Sequence, residues 1–496
     1  MRKILLFTLL LSAIVSCKSE EAKYETTWES LVTHNERPEW FKDAKLGVYF
    51  HWGVYSVPAF QSEWYPRYMY LNVPGKWGYP IYEHHRETYG SDFNYHDFIP
   101  KFTAEKFDPA EWSELIKSTG AKFAGPVAIH HDGFAMWDSK INMWNALDMG
   151  PKRNVLGEMF TELRKRGLKT IATFHHAATL QRADGESADK DLKGKGYYPY
   201  SSKYATSSKD EKLKYLYGNI SADEFYERWL GQINEVISEY KPDIIWFDSD
   251  FGSVPEEYKQ KAVALQYNSG AKENQQTIVT HKGKALPDGV GLLDIEQGGM
   301  KELADKYWMT DITLSYGSWC YVKGQKYKEL NLLARNMIDV WSKKGVVLLN
   351  LSPRSDGVIV DSQREVLDSL GKWIKLHSEA IYNTRSHYIY GYGTAQTLKG
   401  HYGGQSAKQK YSADDIRFTK SKDDKTLYLF VLGMPAENKT IVFDHISNKY
   451  KNKVKKVSLL SSKYDLDFEI DGEKLTIKTP EANYMDSVAT VFKIEF

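Results

Sequence analysis

The chain has 496 residues, of which 42% are hydrophobic and 26% charged, and its formal net charge is +1. A chain of this length is expected to form two domains. The near-neutral charge excludes a protein that binds nucleic acid through an excess of basic residues. Aromatic residues make up 14% of the sequence. Because aromatic rings stack on sugars but also fill protein cores, this fraction alone does not identify a ligand.

The first residues are typical of an export signal rather than of folded structure. Two basic residues precede a short apolar run, Ile4 to Val15, which is too short to span a bilayer. Ser16 then directly precedes Cys17, as in the lipobox of bacterial lipoproteins, although an ordinary cleaved signal is an alternative. We therefore expect residues 1–17 to be a lipoprotein signal with Cys17 as the lipidated residue. Residues 18–27 would then tether an exported protein to a bacterial membrane.

From Trp28 to Arg385, apolar runs typical of buried strands alternate with amphipathic helical stretches. Strands that are apolar on both faces and joined by helices indicate a parallel sheet covered on both sides. Residues 28–385 are therefore predicted to form an α/β domain, a (β/α)8-like barrel of the TIM type. The predicted strands are Leu46–Trp52, Phe123–His131, Lys169–His176, Asp243–Asp248, Thr277–His281, Leu292–Glu296 and Val346–Leu351, and the predicted helices include Asn154–Arg166, Ala222–Tyr240, Glu256–Tyr267, Lys328–Lys343 and Asp361–His377.

After Arg385 the hydrophobic pattern changes to a period of two residues, with clusters of turn-forming residues between the runs. This alternation predicts an antiparallel β-sandwich over residues 386–496. The runs are Thr426–Leu432, Lys439–Phe443, Lys456–Leu460, Leu475–Lys478 and Ala489–Phe496.

Titratable residues stand at the ends of six of the seven predicted barrel strands. The carboxyl ends of the strands of a parallel barrel lie on one face, where the active sites of such enzymes are found. So many histidines and acids on one face predict a functional pocket. They are His51 at the end of the first strand, His130 and His131 at the end of the second, His175 and His176 at the end of the third, Asp248 at the end of the fourth, His281 and Lys282 at the end of the fifth, and Asp294 and Glu296 at the end of the sixth.

Two of these strands end in adjacent histidines, the pairs His130–His131 and His175–His176. Successive residues of a strand point to opposite faces, so we expect only one ring of each pair to face the pocket. Zinc sites usually need ligands at a close spacing such as His-x-His, which the first strand lacks. No metal or other cofactor is therefore expected, and a metal-dependent hydrolase is kept as an alternative.

A pair of carboxylates fits the pocket better than a metal does. Asp248 follows the apolar run Ile244–Phe247, whereas Asp243 begins that strand and should lie on the opposite face. Asp294 and Glu296 end a later strand. Two carboxylates at one mouth can act as the nucleophile and the acid/base of glycoside hydrolysis. The alternative is a protein that binds the sugar in this pocket but is catalytically inactive.

Several motifs resemble glycoside hydrolase family 29, the α-L-fucosidases, and they follow the family's order from Trp28 to Arg385. The resemblance implies an exo-acting retaining mechanism on a fucosylated glycan, no metal cofactor and a C-terminal β-sandwich. A related sugar such as L-galactose is the alternative within the family. The motifs are Lys45–Ala59, Glu63–Tyr65, His130–Phe134, Trp137–Lys140, Gly150–Arg153, Asp243–Asp248, Ser318–Tyr321 and Leu348–Pro353.

The resemblance also assigns roles to individual positions. It implies that Asp248 is the nucleophile, and that the fucose methyl group rests near Trp246 and Trp319. His175 stands where many family members have Tyr, so its role is inferred from its position. The remaining sugar-binding positions fall on His51, Glu63, Trp64, His130 and His131.

The acid/base is the position at which this chain departs from the common pattern. Many members have Glu five residues after the Asp that begins the corresponding motif, where this chain has Gly299. Glu296 is the preferred candidate for the acid/base, and Glu302 and Asp294 are the next candidates. A proton donor supplied by a mobile loop is a further alternative. These motifs encode neither the aglycone nor the oligomeric state.

Overall fold

A computed structural model describes residues 22–181, 197–200, 203–395, 409–446 and 454–496, together with the backbone of 400–401. Eight parallel strands close into a barrel, in which each strand pairs with the next and the last pairs with the first. The predicted TIM-type barrel is therefore confirmed. The strands β1–β8 are Leu46–Phe50, Phe123–Ile129, Lys169–Phe174, Ile244–Phe247, Ile278–Lys282, Leu292–Asp294, Trp308–Thr313 and Gly345–Leu351.

Strand β7 was not predicted from the sequence. It reads Trp-Met-Thr-Asp-Ile-Thr, so three polar residues interrupt what would be an apolar run. Thr310, Asp311 and Thr313 are nevertheless buried. Asp311 contributes its carboxylate to the inside of the barrel near its mouth, whereas the two threonine hydroxyls form hydrogen bonds with neighbouring segments. Five of the other seven strands end one or two residues before the predicted boundary, since the chain turns over the pocket at those points.

The helices cover the outside of the barrel, and each of the five predicted ones is present with similar bounds. Helix Ala222–Tyr240 shows why these segments are helical. Ser221 caps its N-terminus by accepting from Glu224 N–H, and an apolar stripe including Trp229 and Ile233 faces the barrel. In the described part of the chain, the α-helices of six residues or more are Glu39–Ala44, Tyr79–Tyr89, Pro109–Ser118, Val155–Lys165, Ala222–Tyr240, Glu256–Lys272, Leu330–Ser342 and Asp361–Leu376.

The chain is already packed at Tyr24, ahead of the predicted start of the barrel at Trp28. Tyr24 is buried, its backbone N–H donates to Asn268 Oδ1 at 2.9 Å, and its ring packs edge-on against His34. Within the described ranges, no helix is both long enough and apolar enough to cross a bilayer. The predicted signal with Cys17 and residues 18–21 of the predicted tether lie outside the described residues. The rest of that tether is described, and at Tyr24 it packs against the barrel.

The C-terminal part consists of two antiparallel sheets, which confirms the predicted β-sandwich. Phe443 of the smaller sheet packs against Phe492 of the larger one, with ring centroids 5.1 Å apart, so the sheets share a core. The domain division at residue 385 stays a prediction. In spatial order the larger sheet is Thr384–Tyr392, Ile416–Ser421, Thr426–Val431, Thr490–Glu495, Lys456–Leu459 and Asp465–Leu466, and the smaller is Thr440–Phe443, Lys474–Lys478 and Phe468–Asp471.

A buried ion triad joins the barrel to the sandwich. Asp339 of helix Leu330–Ser342 accepts from Arg417 Nε of the larger sheet at 2.6 Å and from Lys343 Nζ at 2.9 Å. The three side chains are no more than 2% exposed. One carboxylate therefore neutralises two buried cations at the interface, which makes its loss costly.

The variant Asp339→Asn is expected to lower the free energy of unfolding by about 3–5 kcal/mol, because it leaves two buried cations without an anion. Asp465→Asn is the control, since it removes a pair with Lys456 in which both side chains are about half exposed or more. That change should lower the free energy of unfolding far less, because solvent screens an exposed ion pair. Denaturant unfolding of the two variants measures the difference, and equal losses would show that the triad has no special role.

Candidate active site

One pocket at the carboxyl ends of the barrel strands contains every residue to which the sequence assigned a catalytic or sugar-binding role. Strand closure brings these residues together, although they are spread over more than half of the chain. Four further residues, none of them assigned from the sequence, complete the lining. The predicted residues are His51, Glu63, Trp64, His130, His131, His175, Trp246, Asp248, Glu296 and Trp319, and the additional ones are Tyr49, Ser249, Lys282 and Asp311.

Asp248 directly follows strand β4 and is held by three cationic or hydrogen-bonding groups. Its Oδ1 lies 3.1 Å from Lys282 Nζ, and its Oδ2 lies 3.4 Å from His131 Nε2 and 3.5 Å from His175 Nδ1. Burial alone would raise the pKa of Asp248, but the Lys282 ammonium and the two histidines hold it well below its usual value. Asp248 is therefore an ionised carboxylate in a nearly enclosed site. Asp243, at the other end of β4, accepts from Lys169 Nζ and Thr170 N–H and is structural, as predicted.

Lys282 lies between three carboxylates of the pocket. Its Nζ lies 3.1 Å from Asp248, 2.7 Å from Glu296 and 3.2 Å from Asp311, and Tyr49 OH donates to Asp311 at 3.0 Å. Burial would lower the pKa of Lys282, but the surrounding carboxylates raise it well above its usual value. The sequence placed Lys282 at a strand end without giving it a role. Asp311 was missed because its strand was not recognised.

The tautomer of His51 is fixed by the amide of Asn350. Asn350 Nδ2 donates to Trp319 O at 2.7 Å, so its Oδ1 must be the acceptor for both the backbone N–H and the Nδ1 of His51, at 3.0 and 2.7 Å. The Nε2 of His51 consequently carries the lone pair. Burial holds the pKa of His51 well below its usual value, so the ring is neutral and Nε2 can accept a hydrogen bond from a hydroxyl group.

The prediction that only one ring of each histidine pair faces the pocket is wrong for His130 and His131, which both line it. Strand β2 ends at Ile129, and the chain turns at once, with Gly133 N–H donating to His130 O at 3.1 Å. Strand alternation therefore does not apply to this pair. Gly133 has φ +78°, and a Cβ there would lie 2.7 Å from the Leu216 carbonyl oxygen, so the turn requires glycine.

The prediction holds for the second pair. His175 lines the pocket, whereas His176 lies outside it and stacks on Trp229. Burial lowers the pKa of His175 to about 4, so this ring is neutral at physiological pH and can donate through only one nitrogen. His281 at the end of β5 also points away from the pocket, and Lys282 points into it.

A carboxylate and three tryptophans form the rest of the wall. Glu63 is buried and accepts from Trp319 N–H at 3.1 Å and from Ser318 Oγ at 3.3 Å. Burial raises the pKa of Glu63. Trp64 lies beside His131, with centroids 5.4 Å apart, and Trp246 lies beside Lys282, whose Nζ is 4.8 Å from the ring centroid. The pocket thus combines hydrogen-bonding groups with flat apolar faces, as sugar recognition requires.

The three candidate acid/bases occupy different places. Glu296 lines the pocket and remains about one-third exposed, with its side chain 35% accessible. Asp294 is buried behind the pocket wall, where it accepts from Trp246 Nε1 at 3.1 Å, and burial together with Asp311 raises its pKa well above the usual value. Glu302 is exposed and lies beside a separate cavity. Of the three, only Glu296 can reach a ligand next to Asp248.

Two overlapping groups in the pocket could hold a metal ion. One ligand atom from each of His51, His130 and His175 lies within 4.8 Å of the others, and the same is true of His131, His175 and Asp248. Nδ1 of His130 and Nε2 of His175 are buried without a hydrogen-bond partner among the described residues. The hydroxyl groups of a sugar would satisfy these nitrogens equally well, and Lys282 already supplies positive charge beside Asp248.

Sequence comparison finds matches in both the barrel and the C-terminal part of the chain. Residues 11–379 match the family described as alpha-L-fucosidase, and residues 409–495 match the alpha-L-fucosidase C-terminal domain. The tissue alpha-L-fucosidase of Macaca fascicularis is 30% identical over 406 residues, which cover 77% of each chain. The plasma alpha-L-fucosidase of Homo sapiens is 30% identical over 390 residues, which cover 75% of this chain and 74% of the relative.

Solved structures agree with the sequence relatives. The Thermotoga maritima alpha-fucosidase in complex with a mechanism-based inhibitor superimposes with a TM-score of 0.74 and 27% identity, covering 95% of this chain and 100% of the other. The same enzyme in complex with fucose gives a TM-score of 0.73. Since 95% of this chain is covered, the match includes both the barrel and the sandwich. This chain therefore belongs to the α-L-fucosidase family of glycoside hydrolases.

Proposed function

We propose that this protein is an exo-acting, retaining α-L-fucosidase in which Asp248 is the nucleophile and Glu296 the acid/base. The observation that carries the proposal is the shared contact with Lys282, whose Nζ lies 3.1 Å from Asp248 Oδ1 and 2.7 Å from Glu296 Oε2. Those two oxygens are consequently no more than about 6 Å apart, an upper bound that accommodates the separation of about 5–5.5 Å found in retaining enzymes and is shorter than the separation of about 6.5–9.5 Å in inverting ones.

In the first step, an Asp248 oxygen attacks the anomeric carbon of a terminal α-L-fucosyl group. The bond from that carbon to the glycosidic oxygen breaks, and Glu296 gives its proton to the departing oxygen. The pocket suits both roles. The pKa of Asp248 is lowered, so it is ionised, while burial raises the pKa of Glu296 despite the opposing effect of Lys282.

In the second step, Glu296 removes a proton from water, whose oxygen bonds to the anomeric carbon as the ester bond to Asp248 breaks. Fucose leaves with its original configuration. The charge of Asp248 is one of the causes that raise the pKa of Glu296. Formation of the ester removes that charge, so the pKa of Glu296 falls when it must act as a base.

The remaining pocket residues support recognition of a terminal sugar. The neutral ring of His51 presents Nε2 as an acceptor, and neutral His175 and buried Glu63 offer further polar contacts for hydroxyl groups. Trp246 and Trp319 supply apolar faces against which a methyl group can rest. Because side chains enclose the site at the barrel mouth, it fits a chain end better than the interior of a polysaccharide.

We further propose that the protein is an exported lipoprotein anchored through Cys17. Six residues separate Cys17 from Tyr24, which packs beside Asn268 near the end of helix Glu256–Lys272. Nearby, His34 Nε2 contacts the carbonyl oxygen of Thr277, just before strand β5. The N-terminus thus leaves the barrel at the amino ends of its strands, and an anchored enzyme would hold its pocket away from the membrane.

The two catalytic assignments predict opposite products in the presence of azide. Asp248→Gly should lose about 10³-fold or more in turnover, and azide in the place of the carboxylate should restore it and give β-L-fucosyl azide. Glu296→Ala should accumulate the fucosyl ester, which azide attacks from the other face to give α-L-fucosyl azide. Nuclear magnetic resonance of the products from an aryl α-L-fucoside distinguishes the two anomers.

Glu302→Ala is the matched control for Glu296→Ala, because Glu302 is the exposed acid that lies nearby in the sequence. It should turn over like the parent enzyme and form no azide adduct. The assignment of Asp248 is wrong if Asp248→Gly keeps its turnover, and that of Glu296 is wrong if Glu302→Ala gives the α-azide instead.

Lys282→Met is expected to move both limbs of the pH profile of kcat/KM to higher pH. The ammonium group lowers the pKa of Asp248, whose ionisation sets the acidic limb, and that of Glu296, whose loss of a proton sets the alkaline limb. Removing it raises both values. Lys284→Met, which changes an exposed lysine two residues away, should leave the profile in place. A profile that is identical in all three proteins would contradict this role of Lys282.

Cys17→Ser is expected to release the protein from the membrane fraction of the cells that produce it, because the lipid is attached to the thiol. Cys320→Ser is the control, since Cys320 is the other cysteine of the chain and is buried. Fractionation with detergent and labelling with a radioactive fatty acid measure the anchoring. Retention of label in Cys17→Ser would refute the lipoprotein proposal.

A further inference from the structure

The residue after Glu296 ties the proposed acid/base to the end of strand β7. Gln297 Nε2 donates to Thr313 Oγ1 at 3.1 Å, and the backbone N–H of Gln297 donates to Asp311 O at 2.9 Å. Gln297 is 4% exposed, whereas Glu296 extends into the pocket. The two neighbours therefore point in different directions, one towards the substrate and the other towards a buried attachment.

The backbone at this point is strained. Gln297 has φ +46°, in the left-handed region, which costs a residue other than glycine about 1–2 kcal/mol. Such conformations persist where surrounding contacts impose them. Here the contacts are the two hydrogen bonds of Gln297 and those of Thr310 Oγ1 to the carbonyl oxygens of Ile295 and Gly298, at 2.6 and 3.0 Å.

Thr313 connects Gln297 to Lys328, and its hydroxyl group forms three hydrogen bonds. Its Oγ1 donates to Ser315 O at 2.8 Å, which leaves the lone pairs to accept from Gln297 Nε2 and from Lys328 Nζ, both at 3.1 Å. Lys328 Nζ also donates to the carbonyl oxygen of Thr313 at 2.8 Å. The ammonium group thus holds both the backbone and the side chain of Thr313.

Both hydrogen bonds that Lys328 Nζ forms with described residues go to Thr313. Lys328 is 5% exposed and forms no salt bridge within the described part of the chain, and burial lowers its pKa to about 7. An amine buried without a carboxylate is destabilising, so a packing role alone would be better filled by an apolar side chain. Neither Lys328, Thr313 nor Gln297 lines the pocket.

We propose that Thr313 and Lys328 are positioning residues that hold the acid/base at the glycosidic oxygen. Acting through Gln297, they keep the strained turn in the one conformation that presents Glu296 beside Lys282 and Asp248. This inference rests on the proposed role of Glu296. It adds that Glu296 is placed by a buried network, formed by Gln297, Thr313 and Lys328, that lies outside the pocket. The contact of Glu296 with Lys282 alone is not sufficient to place it.

A displaced acid slows only the departure of leaving groups that need a proton. The test therefore compares kcat/KM for phenyl α-L-fucoside, a poor leaving group, with that for para-nitrophenyl α-L-fucoside, which departs without protonation. Thr313→Val deletes the hydroxyl at nearly constant volume, and Thr313→Ser keeps it. Lys328→Met removes the ammonium and keeps the stem, so it tests the network should Thr313→Val fail to fold.

We expect Thr313→Val and Lys328→Met to lose about 10-fold to 100-fold on the phenyl substrate and less than about twofold on the nitrophenyl substrate. Thr313→Ser should resemble the parent enzyme on both. Equal losses on the two substrates, or no loss in either variant, would overturn the inference, because a merely structural defect does not depend on the leaving group.

Glu296→Ala is measured in parallel so that a failure of the positioning proposal can be distinguished from a failure of the acid/base assignment. If Glu296→Ala discriminates between the substrates and the network variants do not, the positioning role is wrong and the acid/base assignment stands. If Glu296→Ala does not discriminate, the acid/base assignment fails, and the positioning role fails with it.

Discussion

The ammonium group of Lys282 lies within 3.2 Å of three carboxylates, those of Asp248, Glu296 and Asp311, and the rest of the pocket depends on it. Negative charges gathered at one barrel mouth repel each other and would take up protons if no cation stood between them. With Lys282 at the centre, Asp248 stays ionised while Glu296 keeps a raised pKa. The proposed division of roles between these two carboxylates therefore rests on their different burial and on their different charged neighbours.

Residues that end an apolar run could be found from the sequence, because barrel geometry makes such positions point into the mouth. Asp248 and His51 were identified in this way. Asp311 could not be, since it lies inside a strand whose threonines mask the apolar pattern. The sequence marked Lys282 as a strand end, but its role depends on distances to residues that are far away along the chain.

The choice of the acid/base candidate among Asp294, Glu296 and Glu302 also required the three-dimensional structure. Asp294 and Glu296 are two residues apart, which in a continuing strand would place both side chains on the same face. The strand ends at Asp294, however, and the turn at Gln297 carries Glu296 into the pocket while Asp294 stays behind Trp246. His131 entered the pocket for a related reason, since the chain leaves strand β2 before the histidine pair. Strand periodicity applies only as far as a strand's last residue, and beyond it the prediction held for His175–His176 but failed for His130–His131.

Asn350 shows how tightly two parts of the pocket are connected. Its single amide donates to the backbone of Trp319 and accepts from His51, so one side chain sets both an aromatic face and the proton position on an imidazole. An acidic or apolar replacement at this position would disturb the apolar and the polar contacts of the sugar together. Adaptation of the pocket to a different sugar is therefore constrained at positions 51, 319 and 350, which we expect to vary as a group among related enzymes.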